Sequence, residues 1–74
     1  MKERVLKMLQ AKANEKREKA LTSLELLMNN SVGIGDHSTG DFYDNVEVAF
    51  QELVDADDML ETLEKYDWYN MQDM

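Results

Sequence analysis

The chain has 74 residues, a formal charge of −8, one histidine, no cysteine and no proline. This length allows a single domain close to the lower limit for an independent hydrophobic core. Without cysteine, neither disulfides nor a cysteine-based zinc site can stabilise it, and one histidine is too few for a histidine-based zinc site within one chain. We therefore expect stability to come from extensive helix packing, including packing between chains.

The first predicted element is a helix over about residues 2–29. This segment is rich in Ala, Leu, Met, Lys and Glu and contains no Gly or Pro. Its middle, residues 10–19, has only two apolar residues, both alanine, which would allow either close helix approach or loose packing. The sequence alone leaves open whether the helix continues through this part. The helical stripe consists of Leu6, Leu9, Ala13, Lys16, Ala20, Leu24 and Leu27.

A break is predicted over residues 30–40, which hold all three glycines and the only histidine. Asparagine and glycine at its start favour a helix C-terminal cap. At its end, Ser38, Thr39 and Asp41 are candidate N-caps. We expect Asp41 to be the N-cap, because Asp44 then falls in the first turn, near the positive end of the helix dipole.

The second predicted helix covers about residues 41–65 and has a regular apolar seam. Its apolar residues alternate in steps of four and three, as in the a and d positions of a heptad repeat. Phe50, Val54 and Met59 flank the seam and make the apolar face broader than a two-stranded coil needs. The seam consists of Phe42, Val46, Ala49, Leu53, Ala56, Leu60 and Leu63.

Two helices of similar length with a short connection predict an all-α, antiparallel helical hairpin that forms one domain over residues 1–74. Each helix can bury only one face on the other, so the remaining apolar residues indicate a second contact surface. We expect a homodimer, most simply a four-helix bundle of two hairpins. Its predicted core and dimer residues are the seam of the second helix together with Leu24, Leu27 and Phe50.

Charge is distributed unevenly along the chain. Residues 1–28 have a net charge of +3, whereas residues 36–74 have a net charge of −11. In an antiparallel hairpin the basic start of the first helix therefore lies beside the acidic end of the second. The acidic half repels nucleic acid phosphates, so we expect no nucleic acid partner. It suits a basic protein partner, or the basic half of this chain or of a second copy.

The tail over residues 66–74 is aromatic, with Trp68 and Tyr69 as its candidate functional side chains. Aromatic residues dominate binding hot spots, so the two could form a docking element. The favoured alternative is that they cover the open end of the bundle against Val5, Leu6 and Leu9. In the break, Val32, Ile34 and His37 are the other candidate partner-binding residues, with Val32 and Ile34 expected to cover the hairpin end.

Residues 36–47 resemble a calcium-binding loop in length, with oxygen ligands at Asp36, Ser38, Asp44 and Glu47. The pattern fails at Gly40, where a ligand is needed, and at the next position, where the turn needs glycine. His37 could complete a partial metal site with neighbouring carboxylates, but one histidine is too few ligands. We therefore expect no metal, no cofactor and no catalytic residue.

The segment Asn30-Ser-Val-Gly-Ile-Gly-Asp-His-Ser38 resembles a loop found in small uncharacterised helical proteins of tailed phages, particularly cyanophages and those of the marine metagenome. In that group a leucine-rich helix precedes an Asn-x-Val-Gly-x-Gly-x-His segment. An acidic helix with an Ala-Asp-x-x-x-x-Leu-Glu pattern follows it, here Ala56 to Glu64. The resemblance covers roughly residues 20–66. It implies a phage or marine-metagenome origin and transfers no activity.

These observations predict a non-enzymatic, self-associating interaction or accessory protein. A second hypothesis is an acidic mimic of nucleic acid that occupies a basic groove on a host protein, and a third is a metal-binding loop protein. Met1 is followed by charged residues and no apolar run is long enough to cross a membrane. We therefore expect no secretory leader, no membrane association and a cytoplasmic location, which would be the host cytoplasm for a phage protein.

Overall fold

The computed structural model describes residues 1–29 and 39–70, which form two helices packed against each other. Helix α1 is Lys2–Asn29 and helix α2 is Thr39–Lys65. Helix α1 is continuous through residues 10–19, the part that the sequence left open. The predicted all-α hairpin is confirmed, and the described ranges contain no strand. Association into a four-helix bundle stays a prediction.

The start of α2 differs from the sequence prediction. The helix begins at Thr39, so Asp41 lies inside its first turn and is not the N-cap. The prediction of Asp41 as N-cap is therefore wrong. A carboxylate in the first turn interacts favourably with the positive end of the helix dipole, just as a capping carboxylate does. The same residue type thus suits either position, and the sequence could not distinguish them.

The contact between the helices is built on alanine. Ala13 and Ala56 are 0% exposed, Ala20 is 1% exposed and Ala49 is 6% exposed. Among the described residues, Leu24 is the one larger side chain in this buried class. Helix axes lie about 8–10 Å apart depending on the side chains at the contact, and small residues favour the close end of that range. Ala13, one of the two alanines of residues 10–19, therefore serves close packing, one of the two outcomes considered above.

Each helix has two buried alanines that are seven residues apart. This equal spacing determines the register between the two helices. Leu6 and Leu63 line one groove at the open end of the hairpin, while Leu27 and Asn45 line another near its other end. This antiparallel arrangement sets Ala13 at the level of Ala56 and Ala20 at the level of Ala49. Equal heptad spacing keeps small residues facing each other along the contact.

The larger seam residues are only partly covered. They lie along both edges of the alanine contact, so each keeps one side in solvent. Half-buried seam residues are Leu6, Leu27, Phe42, Val46, Leu53, Leu60 and Leu63, and Leu9 is more exposed. The hairpin by itself thus has a thin core and large apolar margins.

The molecule is elongated, with dimensions of 55 × 18 × 14 Å and a radius of gyration of 16.9 Å. A compact chain of this length would have a radius of gyration of about 11 Å. No helix in the described ranges is both long enough and apolar enough to cross a membrane.

Candidate interaction surfaces

The hairpin has two side faces, which lie on opposite edges of the alanine contact. Successive helical residues are rotated by about 100° around the axis. In antiparallel helices, the residues that directly follow the inward alanines turn towards one side on both helices, and those that directly precede them turn towards the other. Phe50 follows Ala49 and Val48 precedes it, so they mark the two faces.

The Phe50 face is apolar in one half and charged in the other. At the end where residues 30–38 join the helices it carries Leu21, Met28, Tyr43 and Phe50. Towards the open end it carries Lys7, Asn14, Asp57 and Glu64. Phe50 is 56% exposed, and Met28 and Tyr43 are also exposed. The ring of Tyr43 meets that of Phe42 edge to face, with centroids 5.7 Å apart.

One ion pair on this face joins the helices. Arg17 Nε lies 3.4 Å from Asp57 Oδ1, while Arg17 Nη1 donates a 2.9 Å hydrogen bond to Glu18 Oε2. Lys7 and Glu64 line one groove further towards the open end, so the basic start of α1 does lie beside the acidic end of α2. Both partners of the ion pair are well exposed, so it contributes about 0–1 kcal/mol and orients the helices more than it stabilises them.

The Val48 face mixes apolar and charged residues along its whole length. Val48, which is 58% exposed, lines a groove with Ser23 and Leu26. Towards the open end, a second groove of about 360 Å³ has a mainly apolar lining. Between the two grooves lie lysines of α1 and carboxylates of α2. This second groove is lined by Leu9, Lys12, Asp58, Met59, Thr62, Leu63 and Trp68.

Trp68 lies at the open end of the hairpin. Its indole Nε1–H donates a 2.9 Å hydrogen bond to the carbonyl oxygen of Leu63, which belongs to the last turn of α2. That carbonyl has no partner within the helix, so the indole caps the helix end. The half-buried indole lines grooves with both Leu6 and Leu9, as expected for a residue that covers the open end. Tyr66 packs against it, with ring centroids 5.6 Å apart.

Tyr69, the other candidate of the tail, is largely exposed. Its carbonyl oxygen accepts a 3.4 Å hydrogen bond from Lys2 Nζ, which links the segment after α2 to the start of α1. Whether Trp68 and Tyr69 bind a partner stays a prediction. The candidates Val32, Ile34 and His37 lie outside the described residues.

Two of the four weak metal candidates lie in the described part of the chain. Asp44 and Glu47 are exposed on α2, and Asp36 and His37 lie outside the described residues. In the part of the chain that the structure describes, no three His, Asp or Glu side chains are placed to share a metal ion. A twelve-residue calcium loop over 36–47 would also need its middle positions to wrap around the ion, whereas the chain is helical from Thr39 onwards.

Among the described residues, the carboxyl group of Glu15 has a lowered pKa. Lys19 Nζ lies 3.0 Å from Glu15 Oε1, one helical turn away, and this hydrogen bond and the charge of Lys19 lower the pKa of Glu15. The pair is exposed on α1 and belongs to the solvent surface. It is a feature of helix stability and gives no sign of acid–base chemistry.

Three features of these surfaces were missed from the sequence. The groove at Leu26 and Val48 was missed because neither residue belongs to an apolar seam. Each directly precedes a residue that faces the other helix. Tyr43 was missed for a similar reason, since it follows Phe42. The cap made by the Trp68 indole has no sequence signal, because it depends on how the chain turns after Lys65.

Comparisons with known proteins add no relative. No protein-family model, no curated protein and no solved structure matches the chain. The functional argument therefore depends on the surfaces of the hairpin.

Proposed function

We propose that the chain is a small, non-enzymatic interaction protein that works as a homodimer of helical hairpins. Its role would be to present helical surfaces to a second copy and, through the faces left free, to a further protein. The observation that carries this proposal is the amount of surface that the single hairpin leaves in solvent.

The single chain exposes 6182 Å². A compact monomer of 8.6 kDa would expose about 4,700 Å². The excess of about 1,500 Å² is larger than the roughly 800 Å² that each partner buries in a standard protein–protein interface. Much of the exposed surface is apolar, including large side chains on both faces. One further hairpin of this chain provides enough surface to cover one face.

The thin core supports the same conclusion. Alanine has few methylene and methyl groups to bury, and burial of a larger apolar side chain contributes about 1.5–3 kcal/mol. Four of the five buried hydrophobic residues are alanines, so most of the leucine, valine and phenylalanine surface is at best half covered. A dimer buries these side chains without a change in the hairpin itself.

Sedimentation equilibrium over a wide range of protein concentration tests the proposal. We expect a mass of twice 8.6 kDa at micromolar concentration, with helical content that falls as the dimer dissociates on dilution. A helical, cooperatively folding species of 8.6 kDa at every concentration up to millimolar would overturn the proposal.

A stripe of carboxylates supports a second candidate, an acidic mimic of nucleic acid. Asp44, Glu47, Asp58 and Glu61 are exposed on the side of α2 opposite to its seam. They extend over about 25 Å at 1.5 Å per residue, long enough to lie along a basic groove. Asp58 also lines the open-end groove of the Val48 face, so a homodimer that covers the other face would leave the stripe accessible.

Competition for a basic DNA-binding protein tests this candidate. The chain is added to a complex of linker histone and duplex DNA, and the released DNA is measured. A mimic should displace the DNA far more effectively than poly-glutamate at equal carboxylate concentration, and high salt should weaken its effect. Replacement of the four carboxylates by their amides should abolish it. Equal potency of the chain and poly-glutamate would reject the mimic.

A further inference from the structure

We infer that the second copy packs on the Phe50 face, with its twofold axis parallel to the helices, so that α1 of each hairpin lies against α2 of the other. This inference rests on the proposed homodimer and specifies which surface it uses and in which orientation. A copy of the same chain is the occupant because the face is complementary to itself in both apolar pattern and charge.

The apolar half selects the Phe50 face over the Val48 face. On the Phe50 face, Leu21, Met28, Tyr43 and Phe50 are neighbours, with half-buried Val46 and Leu53 beside them. They form one continuous apolar area. On the Val48 face, Lys12, Lys19 and the carboxylates opposite them lie in the middle of the hairpin, so they would be at the centre of a dimer contact, whereas the charges of the Phe50 face lie towards one end. Burial of charged groups is costly unless each is well paired.

The heptad spacing of the Phe50 face fits helices of the same spacing. Leu21 and Met28 are seven residues apart on α1, and Tyr43 and Phe50 are seven apart on α2. Leu21 lies near the level of Phe50, and Met28 lies near the level of Tyr43. Side chains repeated at this interval pack into the gaps between side chains of a partner helix with the same repeat.

The division of this face into an apolar and a charged half favours one direction of the twofold axis. On this face the α1 side carries Lys7 and Arg17 together with Glu3 and Glu18, and the α2 side carries Asp57 and Glu64. A twofold axis parallel to the helices exchanges the α1 and α2 sides, so Lys7 and Arg17 of each copy lie on the side of Asp57 and Glu64 of the partner subunit. An axis that crosses both helices would place α1 on α1 and α2 on α2 and reverse their direction, so the charged half of each copy would cover the apolar half of the other.

The resulting contacts are specific. Leu21 packs near Phe50 of the partner subunit and Met28 near Tyr43 of the partner subunit. Asn14 lies near Asp57 of the partner subunit, and Lys7 lies near Glu64 of the partner subunit. Neighbouring helices are antiparallel throughout, and the helix ends at Asn29 and Thr39 of both hairpins lie at the same end of the bundle.

A matched pair of substitutions tests the face. Phe50→Asp and Val48→Asp remove exposed apolar side chains of similar exposure on either side of Ala49. Phe50→Asp should raise the dimer dissociation constant by about 100-fold or more, since the interface contains two copies of the site. Val48→Asp should leave it within a few-fold. The reverse result would overturn the inference.

Chemical cross-linking tests the axis and does not depend on the stability of the Phe50 variant. The chain has no cysteine, so single-cysteine variants react only at the introduced site. A mixture of Asn14→Cys and Asp57→Cys chains, one of them tagged, is treated with a short bismaleimide. We expect tagged–untagged dimers to form more efficiently than either variant links to itself.

Lys12→Cys with Asp55→Cys is the matched control, because these positions precede the same two alanines and lie on the Val48 face. Efficient linking of this pair, with little linking of the first, would place the dimer on the wrong face for our inference. Predominant self-linking of Asn14→Cys would show the crossing axis. If the proposed function itself fails, sedimentation of the unmodified chain would show a monomer, and this outcome differs from both cross-linking results.

Discussion

Four alanines at heptad spacing determine how close the two helices come. Each faces the other helix with almost no exposed surface, so there is no free volume at these positions for a larger side chain. These small side chains therefore determine the distance between the two helices of the hairpin. The remaining alanine of the sequence, Ala11, is exposed and carries no such constraint.

Ala56→Leu should destabilise the hairpin by about 1–3 kcal/mol, because the added side chain forces the helices apart. Additional buried apolar surface normally stabilises a protein, so the expected stability change of this variant has the opposite sign. Ala11→Leu is the control for the same chemical change on a solvated face, where the expected effect is within about 0.5 kcal/mol. Urea denaturation followed by circular dichroism measures both. A stabilised Ala56→Leu variant would contradict close packing at this position.

Lys19→Ala should raise the pKa of Glu15 towards its ordinary value, because Lys19 supplies the hydrogen bond and the larger opposing charge. Since the pKa is lowered in the folded chain, the pair stabilises the helix above the ordinary Glu pKa of about 4.3 and loses that effect as pH falls through the folded value. NMR titration of the Glu15 side chain measures the shift. Lys7→Ala is the control and should leave this pKa unchanged.

At the scale of the elements, the helices and their apolar seams were predictable because periodicity depends only on local spacing. Every seam residue predicted on α2 is buried or half-buried, from Phe42 to Leu63. The start of α2 was not predictable, since Ser38, Thr39 and Asp41 all suit a helix N-terminus. The composition of the two side faces was not predictable either, because it depends on the register between the helices, and sequence spacing alone does not supply that register.

The end of α2 depends on a contact that forms after the helix has stopped. Trp68→Phe retains an aromatic ring but removes the donor to the Leu63 carbonyl, and we expect a loss of about 0.5–1.5 kcal/mol. Amide hydrogen exchange should increase in the last turn of α2. Tyr69→Phe is the control, because its side chain is largely exposed, and it should have little effect. Unchanged exchange in the Trp68 variant would show that the indole is dispensable as a cap.

For the whole molecule, stability and assembly are expected to be a single process. Because each hairpin has a thin core and a broad apolar margin, much of the favourable burial would occur only between chains in the proposed dimer. We therefore expect the melting temperature to rise with protein concentration, as mass action requires for a folded dimer. Differential scanning calorimetry over a 100-fold concentration range measures this. A melting temperature independent of concentration would indicate that the hairpin is stable alone.

Net charge is also a property of the whole molecule that affects assembly. The value of −8 per chain would double in a dimer, so like charges are kept apart only if acidic rows meet basic ones. In the proposed dimer, α1, with its positive balance, would therefore lie against α2 of the other copy. This arrangement would leave the outer carboxylate stripe of α2 accessible to a further partner.

The single tryptophan makes the open end of the hairpin optically distinct. The half-buried indole is held against the last turn of α2, so its fluorescence reports on fraying at that end, while far-ultraviolet circular dichroism averages over both helices. If the two signals change at different denaturant concentrations, the molecule opens from this end before it unfolds. The unmodified chain thus carries its own probe of stepwise opening.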